Sequence, residues 1–598
     1  MDRPDTAFLN VERSLTEQRW VQRMTLPQAA QAQAMTDLDR ANPILARVLA
    51  GRDVMHGGLD AFLAPTLRDL MPDPSVLTDM DAAVARIVAA MERGERVAIF
   101  GDYDVDGATS AALLHRFLVP LGVAVEIYIP DRVFEGYGPN PAAIRELVQR
   151  NARLIIAVDC GSNSAEALAV AKRAGCDVVV LDHHQIGEGA GEVEALVNPN
   201  RDDDLSGLGH LCAAGVVFLT LVALRRALRA SGRIGADGGP DLRDWLDLVA
   251  LGTVCDVVPL IGLNRAFVVR GMEAMRAGTN EGIAALARVA SVSGTLAPFH
   301  LGFVLGPRIN AGGRIGDPAL GARLLTTEDA TEAEALALRL DQLNAERQAM
   351  ERAMLEQAID EADAEIGLGD GPPVLVTANE SWHAGVVGLL ASRLKDRFRR
   401  PAFAIAYDGR GMGTGSGRSI SGVDLGGTVR AAVEAGLLVK GGGHAMAAGI
   451  TIEREKLGAF RSWLEDRLRA DVAALSLASR VKVDAALSAR GATVELHGEL
   501  QRAGPFGAGN PQPVFAFPNH TLKDAQTVGA NHVRFTLRAP DGGQVQGISF
   551  RTADAPLGQA LLSRIGERLH FVGTLSADSF RGNERVQLRL IDLAVPEG

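Results

Sequence analysis

Between residues 96 and 198 the chain repeats one pattern five times. Apolar runs stand at 96–100 (RVAIF), 124–130 (AVEIYIP), 153–158 (RLIIAV), 177–181 (DVVVL) and 195–198 (ALVN), with helical segments such as NPAAIRELVQRN and NSAEALAVAKRAG among the intervening stretches. A strand that is apolar along its whole length, rather than at alternate positions, is buried on both faces. Strands of that kind alternating with helices predict a parallel sheet covered by helices on each side. The composition suits such packing: 47% of the residues are hydrophobic and 66 are glycine, but only 5% are aromatic, so the core is built from small aliphatic side chains. At 598 residues the chain has room for roughly four domains.

The remainder divides by texture. Residues 1–45 are polar and rich in Ala and Gln, and read as a leader of uncertain order. The parallel-sheet domain is expected over 46–325. Residues 326–366 hold neither Pro nor Gly and are dense in Ala, Leu and Glu, which predicts one long connecting helix, or two, with the linker closing at 368. A second, smaller α/β unit is expected over 369–474, with strands at 373–378 and 401–407 and two glycine-rich stretches, GTGSGRS and KGGGHAMAAG. From 475 to 598 alternating segments such as HVRFTLRA and RVQLRLIDL predict short antiparallel strands, a barrel or sandwich for which an oligonucleotide-binding (OB) barrel is one candidate.

Groups suited to metal ligation stand at or near the ends of apolar segments. Asp102, Asp104 and Asp106 follow RVAIF, Asp159 closes RLIIAV, Asp182-His183-His184 close DVVVL, and Asp256 lies in LVALGTVCDVVPL. Open parallel sheets bind ligands at the carboxyl ends of their strands. Carboxylates gathered there repel one another unless a cation balances them, and a carboxylate–imidazole mixture suits Mn²⁺ or Mg²⁺ better than structural zinc. Singly, each Asp reads equally as a helix cap; the set together does not. The formal net charge of −12 argues against a protein that coats nucleic acid non-specifically. The four cysteines, at 160, 176, 212 and 255, form no CxxC pair and point to a reducing compartment. With no basic-then-apolar N-terminal pattern and no run of membrane-spanning length, the expected location is the cytoplasm, away from any membrane.

DYDVDG, AVDCG, LDHH and GTVCDVVPL, in that order, resemble the four motifs of the DHH phosphoesterases, and most closely those of the single-strand-specific 5′→3′ exonucleases in that group. PRINAGGRIGDP, SWHAGVVGLLASRL, GSGRS, KGGGHAMAAG and GPFGAGNPQPVF extend the likeness across residues 45–598. The resemblance implies a DHH domain joined by a long helix to a DHH-associated domain, followed by an OB-like barrel. It implies two divalent ions, Mn²⁺ or Mg²⁺, on Asp104, Asp106, Asp159, His183 and Asp256, with His184 either beside the metals or at the scissile phosphate. Many phosphatase members carry a His four residues before the first ligand, where this chain has Phe100. Asp102 either compensates, directly or from beside the ligands, or is a plain turn residue. Asp182 stands beside the ligands in the same way.

Backbone N–H groups of Gly442 and Gly443 next to His444, the Ser416–Arg418 pair, and Arg132, Arg308 and Arg314 are the candidate phosphate contacts. The implied activity is hydrolysis of phosphodiester bonds from the 5′ end of single-stranded DNA, releasing 5′ mononucleotides in repair and recombination. A single-strand-binding protein and a helicase are the implied partners, and a monomer the expected state. Two alternatives stand beside it: a DHH phosphodiesterase for short oligonucleotides or cyclic dinucleotides, and a non-catalytic DNA-binding scaffold.

Overall fold

Residues 6–132, 134–187, 191–235, 238–367, 371–476, 479–580 and 583–596 are described in the computed structural model. They fall into two compact units, residues 70–474 and residues up to 69 together with those from 475 onward.

The larger unit begins with the expected sheet. Strands β1 (Val97–Gly101), β2 (Val125–Tyr128), β3 (Leu154–Val158), β4 (Asp177–Leu181) and β5 (Ala195–Val197) lie in the order β2-β1-β3-β4-β5, every neighbour parallel. β1 and β3 are buried at every position, as continuous apolar runs require. The order reverses between β1 and β3, because the connection after β1 runs one way to β2 and the connection after β3 runs the other way to β4. At that switch point the two strand ends open a crevice. Asp102–Asp106 follow β1 and Asp159 follows β3, so the aspartates line it.

Helix α1 (Val105–Leu118) leaves β1 and is buried along most of its length against α2 (Ala213–Ala230) and α3 (Leu246–Cys255). α4 (Gly306–Ile315) packs on the connector α5 (Ala330–Ile366), a single helix of 37 residues. Beyond it, β6 (Leu375–Asn379), β7 (Ala402–Tyr407), β8 (Met412–Arg418), β9 (Lys440–His444) and β10 (Ala447–Glu453) form a mixed sheet in the order β9-β10-β8-β7-β6. Both glycine-rich stretches lie on strands here. A Cβ on Gly417 would stand 2.5 Å from the Phe403 ring, so β8 lies close to its neighbours only because it lacks side chains.

In the smaller unit β11 (Val514–Val528), β12 (His532–Arg538), β13 (Gln544–Ser549), β14 (Arg568–Phe580) and β15 (Asn583–Ala594) close into a barrel in the order β11-β12-β13-β15-β14-β11, with β13 and β15 parallel. This is the five-stranded OB arrangement. Phe515, Phe517, Phe535 and Phe571 are fully buried inside it.

The N-terminal segment differs from the expected leader. A strand at Arg19–Gln22 pairs parallel with Arg480–Val483, and the helices Leu26–Asp37 and Pro43–Ala50 bury Met35, Leu45 and Leu49 in the same core as the barrel's Phe515 and Phe535. Trp20 Nε1 donates to Asp592 at 3.0 Å, and Arg52 donates to the fully buried Asp484 at 3.0 Å. The expected domain start at residue 46 therefore falls inside a segment that packs with the C-terminal unit. The polar composition concealed this, because the segment's few apolar residues bury in a core supplied mostly by residues more than 400 positions away. Among the described residues no helix is long and apolar enough to cross a membrane.

Candidate metal centre

Each strand-end Asp is presented by a specific local device. Asp104 caps α1, its Oδ1 accepting from the N–H groups of Asp106 (2.9 Å) and Gly107 (3.1 Å). Asp106 is buried, and its two oxygens accept from the N–H groups of Ala213 (2.6 Å) and Ala214 (2.9 Å) at the start of α2. A helix N-terminus favours a negative charge there. Asp159 sits at φ 59°, a left-handed conformation that Asp tolerates better than most residues, and this turns its carboxylate back over the sheet edge. Asp256 caps the C-terminal end of α3, so it arrives from a helix rather than from a strand.

These groups converge on His183. Its Nε2 lies 3.3 Å from Asp159 Oδ1, 3.5 Å from Asp256 Oδ2 and 3.8 Å from Asp106 Oδ2. Asp102, Asp104 and Asp159 form a second cluster, with ligand atoms within 4.8 Å of one another. Four buried atoms in the two clusters have no hydrogen-bond partner: Asp102 Oδ1, Asp159 Oδ1, His183 Nε2 and Asp256 Oδ2. A buried polar atom without a partner is costly, and four aimed at one place call for a shared partner.

The electrostatics agree. Burial, followed by the neighbouring carboxylates, pushes Asp159 and Asp102 well above the usual carboxylate range and Asp256 up to about 9. Burial also raises Asp106 and holds the His183 imidazole below its ordinary value, in the neutral form that ligates metal. Oxygen and imidazole donors in a negative cleft fit hard divalent cations, and two clusters give room for two.

Asp182 has a different place. Its Oδ1 accepts from the N–H groups of His183 (2.7 Å) and His184 (3.2 Å) and lies 2.8 Å from His184 Nδ1, while Oδ2 accepts from Ser162 N–H (3.1 Å). Burial alone would raise Asp182, but these bonds and both imidazoles drive it well below the carboxylate range. In turn Asp182 outweighs burial at His184 and lifts that imidazole to about 9. The Asp of Asp-His-His therefore orients the two histidines. Phe100 is fully buried and stacked on Tyr128 at 5.4 Å, a core residue beneath the site.

Three guanidiniums gather beside the centre. Arg132 lies over the Tyr103 ring at 5.0 Å. Arg314 Nη1 donates to the Gly385 carbonyl at 3.2 Å, and Arg418 Nη1 to Ser416 Oγ at 2.6 Å. Among the described residues none of the three forms an ion pair with a carboxylate. Burial and the neighbouring guanidiniums lower Arg314 to about 10, and Arg418 is lowered for the same reasons. Three unpaired cations held together form an anion site. Exposed His444 ends edge strand β9, and Gly443 there has φ 146° and no room for a Cβ, which would fall 2.2 Å from the Ala447 carbonyl oxygen. Gly442 lies on the same strand. Burial and the charges of Arg418 and His184 hold His444 below its ordinary pKa, which places it within electrostatic reach of both. Arg308 is not part of this group: Asp341 on α5 takes its Nε at 2.8 Å.

The sequence reading missed four contributors. The Tyr137 hydroxyl lies 3.2 Å from His184 Nδ1 and donates to the Asp159 carbonyl at 3.3 Å. Tyr103 underlies Arg132. Asn198 Nδ2 donates to Ser162 Oγ (2.8 Å) and the His184 carbonyl (2.9 Å), and Asn200 donates to the His183 carbonyl. The asparagines had a legible signal, since VNPN also ends a strand of the same sheet; the tyrosines had none.

Comparison with known proteins agrees with this geometry. The family described as DHH family, N-terminal domain, matches residues 96–253, the DHHA1 domain matches 371–470 and the RecJ OB domain matches 483–592. The protein is thus of the DHH phosphoesterase class. The single-stranded-DNA-specific exonuclease RecJ of Escherichia coli (strain K12) is 36% identical over 568 residues, 91% of this chain and 95% of the relative. The protein of the same name from Bacillus subtilis (strain 168) is 34% identical over 589 residues, 97% of this chain and 71% of that one. The crystal structure of RecJ from Thermus thermophilus in complex with Mn²⁺ superposes with a TM-score of 0.78 at 29% identity, covering 96% of this chain and 79% of that one; its Mg²⁺ complex gives 0.75. The chain belongs to the RecJ family.

Proposed function

We propose that this chain is a metal-dependent exonuclease that hydrolyses single-stranded DNA from the 5′ end and releases 5′ mononucleotides in repair and recombination. The observation that carries it is the convergence of four partnerless buried ligand atoms near three guanidiniums that, among the described residues, form no ion pair with a carboxylate. The relatives named as single-stranded-DNA-specific exonucleases support the substrate.

In this reading Asp104, Asp106, Asp159, His183 and Asp256 hold two divalent ions, Mn²⁺ or Mg²⁺. Asp102 joins Asp104 and Asp159 on one of them, where Phe100 offers no donor. When bound, such a pair lowers the pKa of a water and stabilises the attacking and leaving oxygens at phosphorus. The protein's own part is position and charge. The α1 and α2 N-termini fix Asp104 and Asp106 before substrate arrives. Asp182 holds a proton on His184 Nδ1, which directs that imidazole's charge at a non-bridging phosphate oxygen. Arg132, Arg314, Arg418 and Ser416 bind the strand's terminal phosphate, and His444 with the β9 edge at Gly442 and Gly443 contacts the next. A doubly charged terminal phosphate satisfies three guanidiniums better than an internal one, which makes the enzyme act from an end. The OB barrel is a further binding element for single-stranded DNA. On the same reading a helicase supplies the strand and a single-strand-binding protein coats it. The enzyme acts as a monomer in the cytoplasm, since one chain supplies every group named and all four cysteines are free thiols.

The test uses end-labelled single-stranded and blunt duplex DNA with Mn²⁺, Mg²⁺ or chelator, and the Asp159→Ala variant beside the wild type. Metal-dependent release of mononucleotides from the 5′ end of single strands, lost in the variant, is expected. Turnover of dinucleotides without cleavage of long DNA, or binding without turnover, would overturn the reading.

A further inference from the structure

Two large aromatic rings lie in the open on a helix that touches Cys255, the neighbour of Asp256, and no step above uses them. Phe299 is 58% exposed and Phe303 73% exposed, and their rings stack on each other with centroids 5.1 Å apart and planes 22° apart. Scattered exposed apolar residues are ordinary, but two phenylalanines paired on the surface form a planar apolar patch.

Their position is defined by an unusual stretch of helix. Residues 298–315 are continuously helical, with a π-helical turn at Leu301–Leu305 just before α4. Turns of that kind are rare and occur often at functional sites. The turn is fastened to the metal centre: Leu301 carbonyl accepts from Cys255 Sγ at 3.3 Å, and a Cβ on Gly306 would lie 2.6 Å from the same sulfur. Cys255 directly precedes Asp256. Val257, on the other side of Asp256, is 69% exposed and sits at φ 62°, a strained conformation for a β-branched residue. At about 1.5 Å per residue, Arg314 of the guanidinium cluster lies about 16 Å further along the same helix. One helix therefore runs from the ring pair, past the residue next to Asp256, to the anion site.

We propose that Phe299 and Phe303 form a base-stacking platform for the single strand as it leaves the metal centre. A strand with its terminal phosphate at Arg314 and its first phosphodiester near Asp256 is led along this helix toward the rings. Its unpaired bases are the planar apolar faces that stack on them whatever the sequence. The inference rests on the reading of the chain as a single-strand nuclease and adds a second contact to it.

Binding of a fluorescent single-stranded 12-mer to the full-length protein, measured in chelator so that nothing is cut, tests the platform. The Phe299→Ala/Phe303→Ala protein is expected to bind about 10- to 100-fold more weakly. Phe299→Tyr/Phe303→Tyr, which keeps the ring faces, is expected to bind like the wild type. A 12-mer carrying successive abasic sites is expected to bind the wild type more weakly and the double-alanine protein no more weakly than the intact strand. Undiminished binding by the double-alanine protein would overturn the proposal, as would equal abasic losses in both proteins. A change from dimer to monomer on double substitution would assign the rings to a second copy and also overturn it. Failure of the wild type to bind any single strand would instead remove the nuclease reading, and the platform with it.

Discussion

Arg314→Met separates what the guanidinium cluster does for substrate from what it does to the fold. In the protein alone, Arg314 is a part-buried cation facing two others, and burial with that repulsion brings it from 12.5 to about 10. A depression of that size corresponds to destabilisation of the charged form on the order of 3 kcal/mol. The hydrogen bond to the Gly385 carbonyl returns about 1.5 kcal/mol of that. Methionine keeps the unbranched stem and loses the charge, so the variant should be about 2 kcal/mol more stable than the wild type. The sign with pH is definite. A base whose folded pKa is depressed destabilises wherever it is charged and is relieved only above that pKa, so the gain should be constant from pH 5 to 9. Thermal unfolding of both proteins, with and without a 5′ mononucleotide, measures it. The nucleotide should raise the wild-type Tm much more than the variant's, and exonuclease activity should fall although the variant is more stable. A variant less stable than the wild type, or equal stabilisation of both by nucleotide, would refute the reasoning.

Asp247 is buried at the start of α3 and burial pushes it up to about 7. Its stabilising contribution is complete below about pH 4 and is lost as pH rises through 7. Asp247→Asn should therefore gain more over the wild type at pH 8 than at pH 5, by a difference on the order of 2 to 3 kcal/mol read by unfolding at the two pH values; equal gains would exclude titration in that window. Mn²⁺ at a hundredfold excess over its Kd should stabilise the wild type by about 2.7 kcal/mol, and Asp159→Ala should lose that increment in a thermal shift assay. Phe100→His, which restores the residue many phosphatase members carry there, should cost about 3 kcal/mol or more, because Phe100 is fully buried against Tyr128. An increase in metal affinity without loss of stability would show that the ring's place in the core is not the constraint.

Much of this molecule follows from short stretches of sequence. A continuous apolar run makes a buried parallel strand wherever it stands, and a residue placed just after such a strand emerges at the sheet's carboxyl edge. That is why Asp102, Asp104, Asp106, Asp159 and His183 could be assigned to one edge before any coordinates, and why the 37-residue connector and the barrel strands were legible from periodicity. Asp182 was found by the same rule, although it binds backbone and imidazole; Asp256, which arrives on a helix, was picked out by its apolar segment and assigned as a ligand by the resemblance.

Pairing was the part that sequence left open. Arg308 and Arg314 stand six residues apart on one helix, yet Asp341 pairs with the first while the second, among the described residues, has no carboxylate partner and lies near other guanidiniums. Tyr137 reaches His184 across 47 residues. Residues 6–69 find their core in a barrel that begins after residue 475. Element types and the edge on which the ligands gather are written locally in the chain, because both depend on side-chain pattern within a few residues. Tertiary structure alone decided which charges remain unpaired and which rings stay exposed, because these depend on distances between segments far apart in the chain, where no local pattern records the partner.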